Sequence, residues 1–210
     1  SNLIPEFNSG YTGYTVSDEI NGNIVTRTIE CDTLPTRIVF GHSSSNSVAR
    51  DAAVSLLEVS NINANVTDAS CMFSNCSNLT SLDLSNFDTS KVIDMNYMFF
   101  NCSSLTSVPL FDTSNVVSMA VMFTNCKSLT SVPLFDTIKV TNMQGMLGGC
   151  ELLTTVPLFN TSNVTNMDSM FQGCEALTTV PLFDTANVTN MDNLFRDCFA
   201  LTSIPLFNTS

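Results

Sequence analysis

Basic side chains are scarce in this chain. Seven Lys and Arg stand against nineteen Asp and Glu, for a net charge of −12, and there is one histidine, His42. A surface of that sign repels a phosphate backbone, and no Lys/Arg cluster offsets it, so binding to nucleic acid is not expected. With a single histidine and no cysteines at CxxC-like spacing, the usual zinc ligand sets cannot be assembled. No nucleophile–histidine pair and no glycine-rich phosphate loop can be read. The expectation is therefore a non-catalytic protein with no metal and no cofactor. No apolar run approaches the roughly 18 residues that a membrane span needs. The chain opens on Ser1, which reads as a processed or excised segment, so the lack of a signal peptide says little about compartment. Charged residues of both signs make up only 12% of the chain, leaving solubility to Ser, Thr and Asn, while an apolar fraction of 44% suffices for a sizeable core.

What the chain has in abundance is repetition. Cys102, Cys126, Cys150, Cys174 and Cys198 are each 24 positions apart, and Cys76 leads them by 26. The text between them repeats as well: SLTSVPLFDTSNVVSMAVMFTNC returns as SLTSVPLFDTIKVTNMQGMLGGC and again as ALTTVPLFDTANVTNMDNLFRDC. A period of this length means a stacked array in which each unit covers its neighbour's apolar face. The six cysteines then occupy one position in successive coils. Stacked equivalents point the same way instead of at each other, which is poor disulfide geometry, so they read as a ladder of reduced thiols acting as small hydrophobes.

Within a coil, Leu177, Val180 and Leu182 follow the pattern LxxVxL and are expected to point inward from a short extended segment. Leu105, Val108 and Leu110, and likewise Leu129, Val132 and Leu134, repeat it. A phenylalanine column follows (Phe111, Phe135, Phe159, Phe183, Phe207), then a polar corner. Met167, Met170, Phe171 and Cys174 fall at i, i+3, i+4 and i+7, the spacing of one helical turn or two. Pro109, Pro133, Pro157, Pro181 and Pro205 sit in the extended segments and should limit regular pairing there to a few residues. The first full coil, LDLSNFDTS, has Asp83 in place of proline and two extra residues, Ser85 and Asn86, expected to bulge its corner outward. The fold expected is an α/β repeat solenoid, leucine-rich-repeat-like, with short parallel strands plus one helical turn per coil and a β-rich N-terminal cap. Its parts are an arm or linker over 1–19, the cap over 20–51, and a solenoid of about six coils over 52–210 whose C-terminal end is uncapped. In the cap, Asn23 to Asp32 and Thr36 to Phe40 read as strands and Gly41 to Ser47 as a loop.

The strings LTSLDLSNFDTSKV, NVTNMDSMFQGC and LTSVPLFDTSNV closely resemble the BspA-like leucine-rich repeats of bacterial surface proteins, in the variant of mycoplasma-type lipoproteins and phage-encoded proteins. The likeness covers about residues 56 to 210. It implies an exported or displayed protein, extracellular, on a cell surface or on a virion, and the VPLFDTS form points towards phage-encoded, tail-associated members. It supplies no catalytic residues. The function it implies is a binding module for adhesion or receptor recognition, with a protein or glycan on a host cell or matrix as partner. The alternative is a structural protein whose open solenoid end stacks on neighbouring virion or surface subunits.

Partner specificity is expected where coils differ or where repeats of this kind bind. The first criterion selects Tyr97, Val121 and Phe199. The second selects the hydroxyl column Thr106, Thr130, Thr154 and Thr178. Asp88, Asp112, Asp136, Asn160, Asp184 and Asn208 form a further column, read as turn caps instead of calcium ligands, because an Asn swap costs a cap little but deprives a calcium site of charge.

Overall fold

The computed structural model describes residues 66–84 and 87–208 in full and, upstream, the backbone of five short strands. These are β1 (Glu6–Phe7), β2 (Tyr14–Asn21), β3 (Ile24–Cys31), β4 (Ile38–Val39) and β5 (Leu56–Glu58). The sixth strand, β6 (Ser81–Asp83), pairs in parallel with β5. β2 and β3 form an antiparallel hairpin with Asn21 opposite Ile24, and β1 pairs antiparallel with β4. Strand β1 and most of β2 fall within residues 1–19, the segment expected to be an arm or linker; the β-branched and aromatic residues of YTVSDEIN suit an extended chain as well as those of β3 do. The expected loop at 41–47, His42, and the bulge at Ser85 and Asn86 lie outside the described residues.

From Val66 onward the chain stacks on itself every 24 or 26 residues. Parallel bridges join Asp68 to Asp94, Asp94 to Ser118, and so on through Asn142, Asn166 and Asn190. Beyond each bridge lies the stripe expected to be helical, and there the backbone is something else. The amides of Met95, Tyr97, Phe99 and Asn101 donate to the carbonyls of Ser118, Ala120, Met122 and Thr124 in the next coil, at 2.8–3.1 Å. The intervening amides of Met98, Phe100 and Cys102 donate locally, three residues back. Alternate amides are thus committed to the neighbouring coil, which leaves no i→i−4 ladder for a helix. The segment is a succession of tight turns. Two residues per coil take positive φ to make them, Tyr97 (58°) and Asn101 (59°) in this one. No α-helix occurs among the described residues.

The stripe is buried all the same. Met95, Met98, Phe99 and Cys102, with their equivalents in the next two coils, are fully enclosed. Aromatic rings stack along the axis: Phe73 on Phe99 and Phe99 on Phe123, both at 5.3 Å between centroids. Across the coil, Phe123 meets Phe135 at 6.2 Å and Phe171 meets Phe183 at 6.0 Å. Such contacts add about 0.5–1.5 kcal/mol each beyond the area they bury. The position before each ladder cysteine needs a left-handed residue, and Asn75, Asn101 and Asn125 meet that need while bonding one another, Nδ2 to Oδ1, at 2.9 and 2.8 Å. Gly149 continues the column at φ +69°, where a Cβ would come within 2.6 Å of Asn125 Oδ1.

Candidate functional site: an exposed leucine stripe beside an acidic column

The wall formed by the VPLFDT segments differs from the LxxVxL expectation in one respect that matters. Val108 and Val132 are buried, but the third apolar residue faces solvent. Leu110 is 68% exposed, Leu134 60%, Leu158 61%, Leu182 62% and Leu206 96%. The reason is local. Phe111 and Phe135 directly follow their leucines and are buried, and neighbouring residues of an extended chain point to opposite sides. The larger, stacking ring takes the interior. Proline assists: the Phe135 amide donates to the Pro133 carbonyl and Phe159 to Pro157, both at 3.0 Å. These bonds close three-residue turns with Leu134 and Leu158 at their apices. In the first full coil Leu84 lies three residues before Phe87, whose amide donates to it at 2.9 Å, and there the leucine is only 4% exposed.

Five leucines therefore form one column, at a pitch set by the stacking of the next residues, Phe111 and Phe135, whose rings are 5.0 Å apart. Fully burying a leucine is worth about 1.5–3 kcal/mol, so covering the exposed part of each would return roughly 1–2 kcal/mol. Two residues on, and on the same side of the chain, stand the exposed Asp112, Asp136, Asn160, Asp184 and Asn208. Leu110, Leu134, Asp112 and Asp136 line one shallow groove together with Thr113 and Ser114. Each of these Asp and Asn side chains from Asp88 to Asp184 accepts the amide two residues on (Ser90, Ser114, Ile138, Ser162, Ala186) at 2.9–3.1 Å. Hydrogen bonds from the Ser114 hydroxyl and amide hold the Asp112 carboxyl below its ordinary range, and Ser90 does the same for Asp88, so both are ionised. The ion pairs Lys127–Glu151 and Arg196–Asp197 lie elsewhere, and among the described residues Asp112, Asp136 and Asp184 form no ion pair. Directly after the acid column, buried threonines tie coil to coil: Thr113, Thr137, Thr161 and Thr185 donate to the carbonyls of Asp136, Asn160, Asp184 and Asn208 at 2.7–2.9 Å.

The residues selected from sequence fall into three places. Tyr97 and Val121 occupy the same position in adjacent coils, both at positive φ. Tyr97 is 43% exposed with its ring edge-on to Phe100 at 5.7 Å, and Val121 is half-buried. Phe199, 75% exposed, belongs to another column, with Ser103, Lys127, Glu151 and Glu175 as its equivalents, so the three do not form one face. Thr106, Thr130, Thr154 and Thr178 are exposed and aligned. The hydroxyls of Thr106, Thr130 and Thr178 donate to the carbonyl of the equivalent threonine one coil earlier at 3.2–3.3 Å, so their protons serve the stack. The leucine stripe was missed because a hydrophobic residue at a regular interval reads as core. The signal against that reading was its adjacency to an invariably placed phenylalanine.

The cysteines form an unbridged column. Cys102, Cys126, Cys150, Cys174 and Cys198 each donate Sγ–H to the carbonyl three residues before the equivalent cysteine of the preceding coil (Phe73, Phe99, Phe123, Leu147, Phe171) at 3.0–3.3 Å. Burial pushes the thiols of Cys76, Cys126 and Cys174 up to about 12 and those of Cys102 and Cys150 well above the ordinary range. At neutral pH they are protonated donors, not nucleophiles or ligands. Among the described residues no group of three His, Cys, Asp or Glu could hold a metal ion, and no helix is long and apolar enough to cross a membrane. No curated protein and no solved structure matches the chain. A family model does, over residues 45–153 and again over 130–210, which takes in every coil described above. The chain therefore belongs to DUF285, described as a Mycoplasma protein of unknown function, a repeat-containing family related to BspA-like mycoplasma proteins.

Proposed function

We propose that this chain is a non-catalytic binding module of BspA-like leucine-rich-repeat type, a solenoid displayed on a cell surface or virion that recognises a protein or glycan through an extended face. The observation that carries this reading is the column of five exposed leucines, a continuous apolar feature larger than the scattered surface hydrophobics of an ordinary protein. Family membership and the coil-to-coil hydrogen bonding support it by supplying a rigid backing: little conformational entropy remains to be lost when such a face is covered. The mechanism is recognition by many modest contacts along a preformed surface.

The test is binding of the labelled protein to intact candidate host cells and to extracellular matrix, beside a variant with Leu134, Leu158 and Leu182 changed to Ser. Saturable binding that the variant loses is the expected result. Binding retained by that variant but lost when Tyr97, Val121 and Phe199 are changed would move the face. No saturable binding by any form overturns the reading.

A further inference from the structure

The leucine stripe has a pitch, a length and a charged border, and together they describe what covers it. Resting on the binding-module reading, we propose that its partner is a cationic amphipathic α-helix, lying along the stacking axis with its apolar stripe on Leu110, Leu134, Leu158, Leu182 and Leu206 and its Lys or Arg residues against the acidic column.

The pitch argues for a helix. Successive coils are joined by parallel bridges, which set them about 4.8 Å apart. A helix advances about 5.4 Å per turn, so one apolar turn meets each leucine across the stripe, with a drift of only about 2 Å over four steps. A strand brings side chains to one face every ~6.7 Å and loses register with the leucines within two coils. The stripe is thus about four turns of helix long. Charge argues for the sign. Asp112 and Asp136 stand beside Leu110 and Leu134, pair with no cation among the described residues, and belong to a protein of net charge −12. A second copy of the chain would bring acid against acid, and an anionic lipid surface would be repelled as well. The border also has a register: Asn160 interrupts it, so cations are called for opposite Asp112, Asp136 and Asp184 but not opposite the middle coil.

The test uses a synthetic leucine–lysine peptide of about four helical turns, with leucines at i, i+3, i+4 and i+7, and a scrambled peptide of the same composition. Two variants of the chain separate the contributions. One carries Leu134→Ser with Leu158→Ser, both exposed. The other carries Asp112→Asn with Asp136→Asn, which keeps the acceptor oxygen that the turn requires, as Asn160 shows in its own coil. Thermal midpoints close to that of the unaltered protein establish that both fold. The expected result is saturable one-to-one binding of the amphipathic peptide, weakened at least tenfold by the serine pair and by scrambling. The asparagine pair should weaken it severalfold and flatten its salt dependence. Equal binding of the scrambled peptide, or undiminished binding to the serine pair, reduces the contact to charge attraction and overturns the proposal. Self-association abolished by the serine pair, without peptide binding, overturns it in favour of a second copy. Cell or matrix binding that depends on the leucines while the peptide fails to bind overturns the helix assignment and leaves the binding-module reading intact.

Discussion

The two walls of each coil solve opposite problems. The turn wall, Met95 to Cys102 and its equivalents, sends every second amide into the next coil and buries its stripe of Met95, Met98, Phe99 and Cys102 completely. The leucine wall makes few backbone bonds between coils. Thr106 reaches Thr80 and Thr130 reaches Thr106 through amide and hydroxyl alike, while the prolines withhold a donor in every later coil. The first wall is where the stack is held together, and the second is where apolar area is left uncovered. Within the second wall the first coil forms a parallel strand pair and hides Leu84, whereas later coils turn the equivalent leucine outward. Exposure is therefore written into the VPLF text of each repeat and is not a failure of packing.

Alkaline pH should break the turn wall first, and this is the largest effect expected. The thiols of Cys126 and Cys174 ionise at 9.0 in an unfolded chain but near 12 in the fold, because burial penalises the thiolate. The folded state keeps protons that the unfolded state has lost, so their contribution is fully present below pH 9 and disappears as pH rises towards 12. Each such thiol costs about 1.4 kcal/mol per pH unit in that window, so Cys126 and Cys174 together cost roughly 3 kcal/mol by about pH 10. Chemical denaturation between pH 8 and 11 should show this slope, and Cys150→Ala should make it shallower. A flat profile would mean that the thiols are solvated.

The leucine wall gives the next contrast. Leu84→Ala should destabilise by about 2–5 kcal/mol, the range for a buried leucine, whereas Leu134→Ala should change stability by no more than about 0.5 kcal/mol. Equal losses from the two, in denaturant midpoints at constant slope, would erase the distinction between first and later coils. A finer version compares threonines. Thr161→Val removes a 2.7 Å bond and orphans the Asp184 carbonyl, at a cost of about 1–2 kcal/mol. At the equivalent position one end of the column behaves differently: the Thr89 hydroxyl is buried with no partner among the described residues, so Thr89→Val should be neutral or stabilising by up to about 1 kcal/mol.

Much of this was legible in the sequence, and the rest was hidden by patterns with two readings. The 24-residue period gave the stack, the cysteine column and the stacked phenylalanines directly. The methionine stripe at i, i+3, i+4 and i+7 was read as helical because consecutive tight turns bring the same positions to one side. The discriminating residues were those before each cysteine, Asn75, Asn101, Asn125, Gly149 and Gly173, which are the types that tolerate left-handed backbone. The outward leucines have a related cause: LxxVxL is an inward pattern only where no phenylalanine follows directly to take the interior. Of the binding residues that differ between coils, Tyr97 and Val121 share one position 24 residues apart, whereas Phe199 directly follows Cys198 and so belongs to another column, a separation legible in the repeat register itself.

Val121 offers the smallest test and the one that bears most directly on the turn wall. Its φ is 60°, in a region that β-branched residues avoid, and the column it occupies is otherwise filled by Cys71, Tyr97, Gly145, Ser169 and Asn193. The conformation is imposed, since the Val121 amide bonds the Gln144 carbonyl at 2.7 Å and the Thr124 amide bonds back to Val121. Strain at such a residue is of order 1–3 kcal/mol. Glycine would relieve it at an entropic cost of roughly 0.5–1 kcal/mol, and little packing is lost because the side chain is half-exposed. Val121→Gly should therefore raise stability by about 1 kcal/mol, whereas the same change at the fully buried Val116 should lower it by more than that. A destabilised Val121→Gly would mean that the isopropyl group contributes more to the wall than the backbone strain takes away. The turns would then be held by side-chain packing as much as by the bonds between coils.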